Sequence, residues 1–152
     1  MAVVEVKSNL KPDYLDTSVR QPDPVEVAAR KIFANGNVAN GAADSALSTY
    51  HLMDLPSDCI LAEETFFKVD AWGFAQIQIG TETDPTALVN QTKATEAIVT
   101  PIANGDTNHA KRLWEVLGIA SDPGGNIGIY ASAAAGATGA GTMTYQLAHL
   151  YH

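Results

Sequence analysis

Ile127-Gly-Ile-Tyr-Ala-Ser-Ala133 and Thr142-Met-Thr-Tyr-Gln-Leu-Ala-His-Leu-Tyr151 decide the reading of the fold. Each reads as a β-strand, and a run of small residues from Ala133 to Gly141 lies between them. In the second strand Met143, Tyr145, Leu147 and Tyr151 share one parity, the spacing of a core-facing row on a pleated strand. A chain that reaches His152 inside a strand is expected to hold its last residues in a sheet.

The same patterning continues upstream. Ser48-Thr-Tyr-His-Leu-Met53 is a short strand, stopped by Leu55-Pro-Ser-Asp58, and Cys59-Ile-Leu-Ala62 is the next. In Phe66-Phe-Lys-Val-Asp-Ala-Trp72, Phe67, Val69 and Ala71 alternate with Lys68 and Asp70. Gly73 interrupts the pattern, as at a bulge or bend. Phe74 to Thr81 alternates again, with Ala75, Ile77 and Ile79 inward and Gln76 and Gln78 outward. Thr83 to Val89 opens with a turn and continues as a short helix or loop. Glu96 to Ile102 is a strand that Pro101 places at an edge or an end. Lys111 to Gly118 fits either a helical turn or a strand with Leu113, Glu115 and Leu117 on one face. Ser121-Asp-Pro-Gly-Gly-Asn126 is a loop.

Roughly seven or eight short strands separated by turn signals are the mark of an all-β sandwich. The wide range of connection lengths favours a Greek-key or jelly-roll order over a meander. The expected fold is all-β: a jelly-roll-like β-sandwich over residues 45–152, preceded by an extended N-terminal arm over residues 1–44. The arm is read from Lys11-Pro-Asp13, Gln21-Pro-Asp-Pro24, Asn35-Gly-Asn37 and Asn40-Gly41, all turn or extended signals. One short helix is expected at Val25 to Ala34, with Pro24 at its first position and Asp23 as its cap. The arm is too poor in apolar residues for a core of its own and is expected to lie on a partner.

A chain of 152 residues is long enough to bury a core as one domain. Its net charge is −8 and only 17 % of its residues are charged, against about a quarter in typical domains. Ala, Gly, Thr and Asn take up the difference, which suits packing against other protein. The acidic balance, with only the pairs Arg30-Lys31 and Lys111-Arg112 on the basic side, argues against nucleic acid as a partner. Met1-Ala-Val-Val-Glu-Val-Lys7 lacks the basic and apolar regions of a signal peptide. No window approaches the ~18 apolar residues of a membrane-spanning helix. The expectation is a soluble protein made in a cytoplasm.

Chemistry-bearing patterns are scarce. Cys59 is the sole cysteine, so it makes no internal disulfide, and it reads as a small buried hydrophobe. His51, His109, His149 and His152 include no His-x-His pair. Glu63, Glu64 and Asp70 are carboxylates of the type a glycosidase uses, but solvated turn and strand faces account for them. Pro123-Gly-Gly-Asn-Ile-Gly128 lacks the Lys of a phosphate loop and reads as a turn. Gly80-Thr-Glu-Thr-Asp-Pro85 offers oxygen ligands, so Ca²⁺ at the Glu82–Asp84 turn is the one cation considered. Trp72 and Trp114 read as core or interface. No catalytic, cofactor-binding or metal-binding residue is assigned, no cofactor is expected, and the protein is not read as an enzyme.

Four strings taken in order carry a resemblance. They are Ser48-Thr-Tyr-His-Leu52 before Leu55-Pro-Ser-Asp58; Ile77-Gln-Ile-Gly-Thr-Glu-Thr-Asp84; Arg112-Leu-Trp-Glu-Val-Leu-Gly118 before Asp122-Pro-Gly-Gly125; and Ala140-Gly-Thr-Met-Thr-Tyr-Gln-Leu147. Over residues 45–152 the chain resembles tailed-bacteriophage virion proteins of the capsid decoration, or cement, type. The resemblance implies a jelly roll on the outer surface of the head, bound to the major capsid protein, often as a homotrimer, with the arm reaching over neighbouring subunits. Its motifs are structural and bring no site residue with them. Two other readings stand beside it. One is a tail, neck or fibre-tip virion part, with or without carbohydrate binding. The other is a β-sandwich enzyme or small-molecule binder.

Overall fold

The computed structural model describes residues 2–8 and 31–151. Among the described residues ten strands carry the fold: β1 (Glu5–Lys7), β2 (Lys31–Asn40), β3 (Thr49–Pro56), β4 (Ile60–Leu61), β5 (Phe66–Lys68), β6 (Gln76–Gly80), β7 (Val89–Thr92), β8 (Ile98–Val99), β9 (Asn126–Ser132) and β10 (Gly141–Leu150). A single helical turn, α1 (Leu113–Val116), and a 3₁₀ turn at Lys93–Thr95 complete the secondary structure of the described residues. None of their helices is long and apolar enough to cross a membrane.

The strands form an all-β sandwich of two sheets. The first runs β1-β3-β9-β6-β7; the second runs β2-β10-β5-β8, with β4 beside the end of β10. Only β1 is parallel to its neighbour, β3. Setting β1 and β4 aside, the remaining strands pair in nested fashion: β2 with β10, β3 with β9, β5 with β8 and β6 with β7, all antiparallel. The first strand thus meets the last and each inner pair lies inside the previous one.

Alternation explains which face closes the core. Tyr50, Leu52 and Leu55 of β3, Ile127, Ile129 and Ala131 of β9, and Ile77 and Ile79 of β6 point inward from one sheet. Ile32, Ala34 and Val38 of β2, Met143, Tyr145 and Leu147 of β10, and Phe67 of β5 face them from the other. Each large side chain removed from water contributes roughly 1.5–3 kcal/mol. The β3–β9 register shifts between His51 and Met53. That bulge lets Leu52 and Leu55, three residues apart, both reach the core.

Several expectations need correcting. Residues 31–40, expected in the arm, are the strand β2, paired with β10 over its whole length. The inward row Ile32, Ala34, Gly36, Val38 and Asn40 is a strict alternation, but Gly36 and Asn40 stand where apolar residues would announce it. The Asn35-Gly-Asn37 string that reads as a turn is pleated strand, whereas β2 ends at Asn40 and Gly41 opens a turn closed by Asp44 N–H on the Gly41 carbonyl at 3.3 Å. The helix expected at Val25 to Ala34 lies outside the described residues up to 30, and its end, residues 31–34, is β2. Residues 5–7 also join a sheet, as β1. Of the remaining arm, residues 1 and 9–30 lie outside the described residues.

Ala71 and Ala75, expected inward, are exposed, whereas Trp72 and Phe74 are buried. The strand ends at Lys68, and a turn closed by Trp72 N–H on the Val69 carbonyl reverses the parity. β3 runs through Pro56 and does not stop at Leu55. The ambiguous 111–118 stretch is helical at Leu113–Val116, where the Glu115 carboxylate accepts the Arg112 N–H at 3.0 Å. Val89 begins a strand, β7.

Candidate docking surface

The candidate chemical residues are scattered. On the outer face of the first sheet the His51 Nε2 lies 2.7 Å from Asp54 Oδ1, and the His51 ring stacks on Tyr130 at 4.3 Å. Gly128 lies beneath them, where a Cβ would meet the Tyr130 ring, His51 and Asp54. Burial pushes the Tyr130 hydroxyl pKa up, and the carboxylates of Glu82, Asp54 and Glu5 push it further. Sequence reasoning missed this grouping: the bulge at Leu52 sets Asp54 beside His51, and nothing in the string announces it.

His149 is buried on the inner side of β10, with its ring 5.9 Å from the half-exposed Tyr151. His109 is exposed and lines a cleft of about 330 Å³ with Lys31, Ile60, Glu63, Glu64 and Leu150. There the Lys31 ammonium and Glu64 carboxylate pair at 2.5 Å, which holds the Glu64 pKa below the usual range. The cleft's main cation and anion are thus paired through Glu64 Oε1, while Glu64 Oε2 is buried without a hydrogen-bond partner among the described residues. Asp70 is exposed on the turn after β5. His152 lies outside the described residues. Among the described residues no three His, Cys, Asp or Glu side chains gather as a metal site. At the turn after β6, Asp84 Oδ1 accepts the Thr86 N–H and hydroxyl, at 3.2 and 3.1 Å.

Cys59 is fully buried and its thiol is pushed up to about 12, chiefly by burial, then by the Asp58 carboxylate. Trp72 is core, its ring edge-on to Tyr50 at 5.0 Å, and Trp114 packs half-buried against the core. Tyr145 of β10 is buried, and Tyr151, just beyond the strand, is exposed. The Pro123–Gly128 loop carries an Asx turn: Asp122 Oδ1 accepts the Ser57 hydroxyl at 2.6 Å and the Gly124 N–H at 2.8 Å. Those two bonds, in that order, lower the Asp122 pKa.

What the sandwich does offer is surface of low charge. The outer face of the second sheet shows Asn35, Asn37 and Ala39 of β2 beside Thr142 and Thr144 of β10, with Lys68 of β5 next to them. One end of the sandwich is formed by residues 41–48, between β2 and β3, and 133–140, between β9 and β10. Its two segments are tied by Leu47 N–H to the Ala133 carbonyl, Ala133 N–H to the Ser48 carbonyl and Ala137 N–H to the Asp44 carbonyl, all at 2.9 Å. Asp44 is their single ionisable residue. It is buried, accepting the Tyr50 hydroxyl at 2.5 Å and the Gly41 N–H at 2.9 Å. The exposed part of this end carries no charge.

Asn40 fixes the same end from within. Its side-chain oxygen accepts the Gly73 N–H at 3.0 Å and its amide donates to the Gly139 carbonyl at 2.8 Å. A Cβ on Gly73 would collide with the Gly139 carbonyl and the Asn40 amide, so only glycine lets these three segments close up.

No family model, curated protein or solved structure matches this chain.

Proposed function

We propose that this protein is a jelly-roll decoration, or cement, protein of a tailed-phage head, a structural part with no catalytic role. It binds the major capsid protein on the outer surface of the capsid, self-associates as a homotrimer and stabilises the lattice. The nested pairing of the eight main strands in two packed sheets supports the jelly roll, the architecture of many capsid domains. The observation that carries the function is the surface of low charge. On a chain of net charge −8, the end formed by residues 41–48 and 133–140 exposes no charged side chain, and the outer face of the second sheet shows Asn35, Asn37, Ala39, Thr142 and Thr144 with Lys31 and Lys68 as its cations. Such faces can meet protein closely with little desolvation of charge. The four strings that resemble decoration proteins fall on β3, β6, α1 and β10, elements that build this sandwich.

The test adds purified protein to tailed-phage heads assembled without it. Saturable binding at a fixed number of copies per head, with heads that withstand higher temperature, is expected. Failure to bind heads, or binding to tails alone, would overturn the proposal.

A further inference from the structure

Leu47 breaks a local rule. Residues 45–48 form a turn closed by Ser48 N–H on the Ser45 carbonyl at 3.3 Å, and Leu47, its third residue, has φ 69°. A positive φ at that position of a turn is the province of Gly or Asn, because a Cβ crowds the backbone there. A branched apolar side chain gains nothing inside the fold in return: Leu47 is 77 % exposed, the most exposed large apolar residue described. Val3 is 61 % exposed. The segments that carry them are tied together: Ser45 N–H donates to the Ala2 carbonyl at 3.1 Å and Val4 N–H to the Ser48 hydroxyl at 3.2 Å. The floor beside Leu47 is the uncharged end of the sandwich, with exposed Glu5, opposite Thr49, at its edge. Strain retained with an exposed side chain is a feature of ligand clamps more than of cores.

We infer that Leu47, with Val3 on the segment tied to it, is the anchor that seats this protein on its partner, and that the partner offers an uncharged, apolar depression on a protein surface. Charge match sets that chemistry. No charged group is exposed on residues 41–48 or 133–140, so a basic or acidic partner surface would lose its hydration against them with no counter-charge. A projecting aliphatic side chain requires a socket. The inference rests on the decoration reading for the partner's identity, the capsid surface.

The experiment measures binding to heads lacking this protein, with melting of the free protein as the control. Leu47→Gly and Leu47→Asn relieve the backbone and remove the apolar knob; Leu47→Met keeps it. Expected are at least tenfold weaker binding for Gly and Asn, melting temperatures no lower than wild type, and near wild-type binding for Met. Equal binding by all four proteins overturns the anchor and leaves the decoration reading standing. A wild-type protein that does not bind heads overturns that reading and the anchor with it. If Leu47→Gly instead lowers the oligomeric state of the free protein, the socket is on a second copy and the capsid-facing assignment is wrong.

Discussion

The Tyr145 hydroxyl donates a 2.8 Å hydrogen bond to the Leu52 carbonyl, linking β10 in one sheet to the bulge of β3 in the other. Both residues are fully buried. The same carbonyl accepts the hydroxyl of buried Ser8, just after β1. The bulge that sends Leu52 into the core therefore also presents a carbonyl to two side-chain donors, and joins both sheets and the N-terminal strand at one atom.

Tyr145→Phe is expected to destabilise the fold by about 1 kcal/mol, the usual net worth of a buried hydrogen bond. Tyr145→Phe with Ser8→Ala removes both hydroxyls and should cost more than the sum of the single changes, because a buried acceptor then loses both its hydroxyl donors. Urea unfolding of the four proteins measures this cycle. A strictly additive result would show that Leu52 does not couple them.

Removing residues 1–44 should abolish folding. The deletion takes away β2, which pairs with β10 from Gly141↔Asn40 to Leu150↔Lys31, and with it the inward Ile32, Ala34 and Val38. Near-ultraviolet circular dichroism and a cooperative melt provide the readout. A truncated protein that melts cooperatively would make β2 dispensable.

Asn40→Ala is expected to cost roughly 1–3 kcal/mol, since it leaves the buried Gly73 N–H without its acceptor. Gly73→Ala should be worse, because its Cβ has backbone on one side and Asn40 on the other. Melting temperatures compared with an exposed control such as Ala42→Ser check both.

Alkali should unfold this protein. Burial raises the pKa of the Cys59 thiol to about 12 and pushes those of the Tyr50 and Tyr145 hydroxyls well up. For such groups the stabilisation is complete below the unfolded pKa, about 8.5 for Cys and 10 for Tyr, and is lost as pH rises towards the folded values. Stability should be level below about pH 8 and fall steadily from about pH 9. Cys59→Ala should be less stable than wild type at pH 7 and lose less of its stability between pH 8 and 11. Equal alkaline slopes would remove the thiol from the account.

Stability should also fall in acid. Hydrogen bonds hold the carboxyls of Asp106 and Asp122 below the usual range, as the Lys31 bond does for Glu64. Their contribution is present above the unfolded carboxylate values and lost as pH drops below about 4. These groups are exposed, so the change should be gradual; Asp122→Asn should flatten part of it in melts between pH 2 and 6.

The alternation at Phe67/Val69, Ile77/Ile79 and Met143/Tyr145/Leu147 is local. A pleated strand puts every second residue on one face, so the string itself carries the all-β class and most of the buried row. The same physics hid β2, because Gly36 and Asn40 occupy inward positions without being apolar. Asn40 is tolerated there only because Gly73 and Gly139 come to it from far along the chain. Ala71 and Ala75 were misplaced because a turn between two alternating runs shifts parity, and parity alone does not show a turn. The strand order, the His51–Asp54–Tyr130 grouping and the uncharged end with Leu47 on a left-handed turn came from tertiary structure alone. Each joins residues distant in sequence, and only the closing of two sheets on one core determines which of them meet.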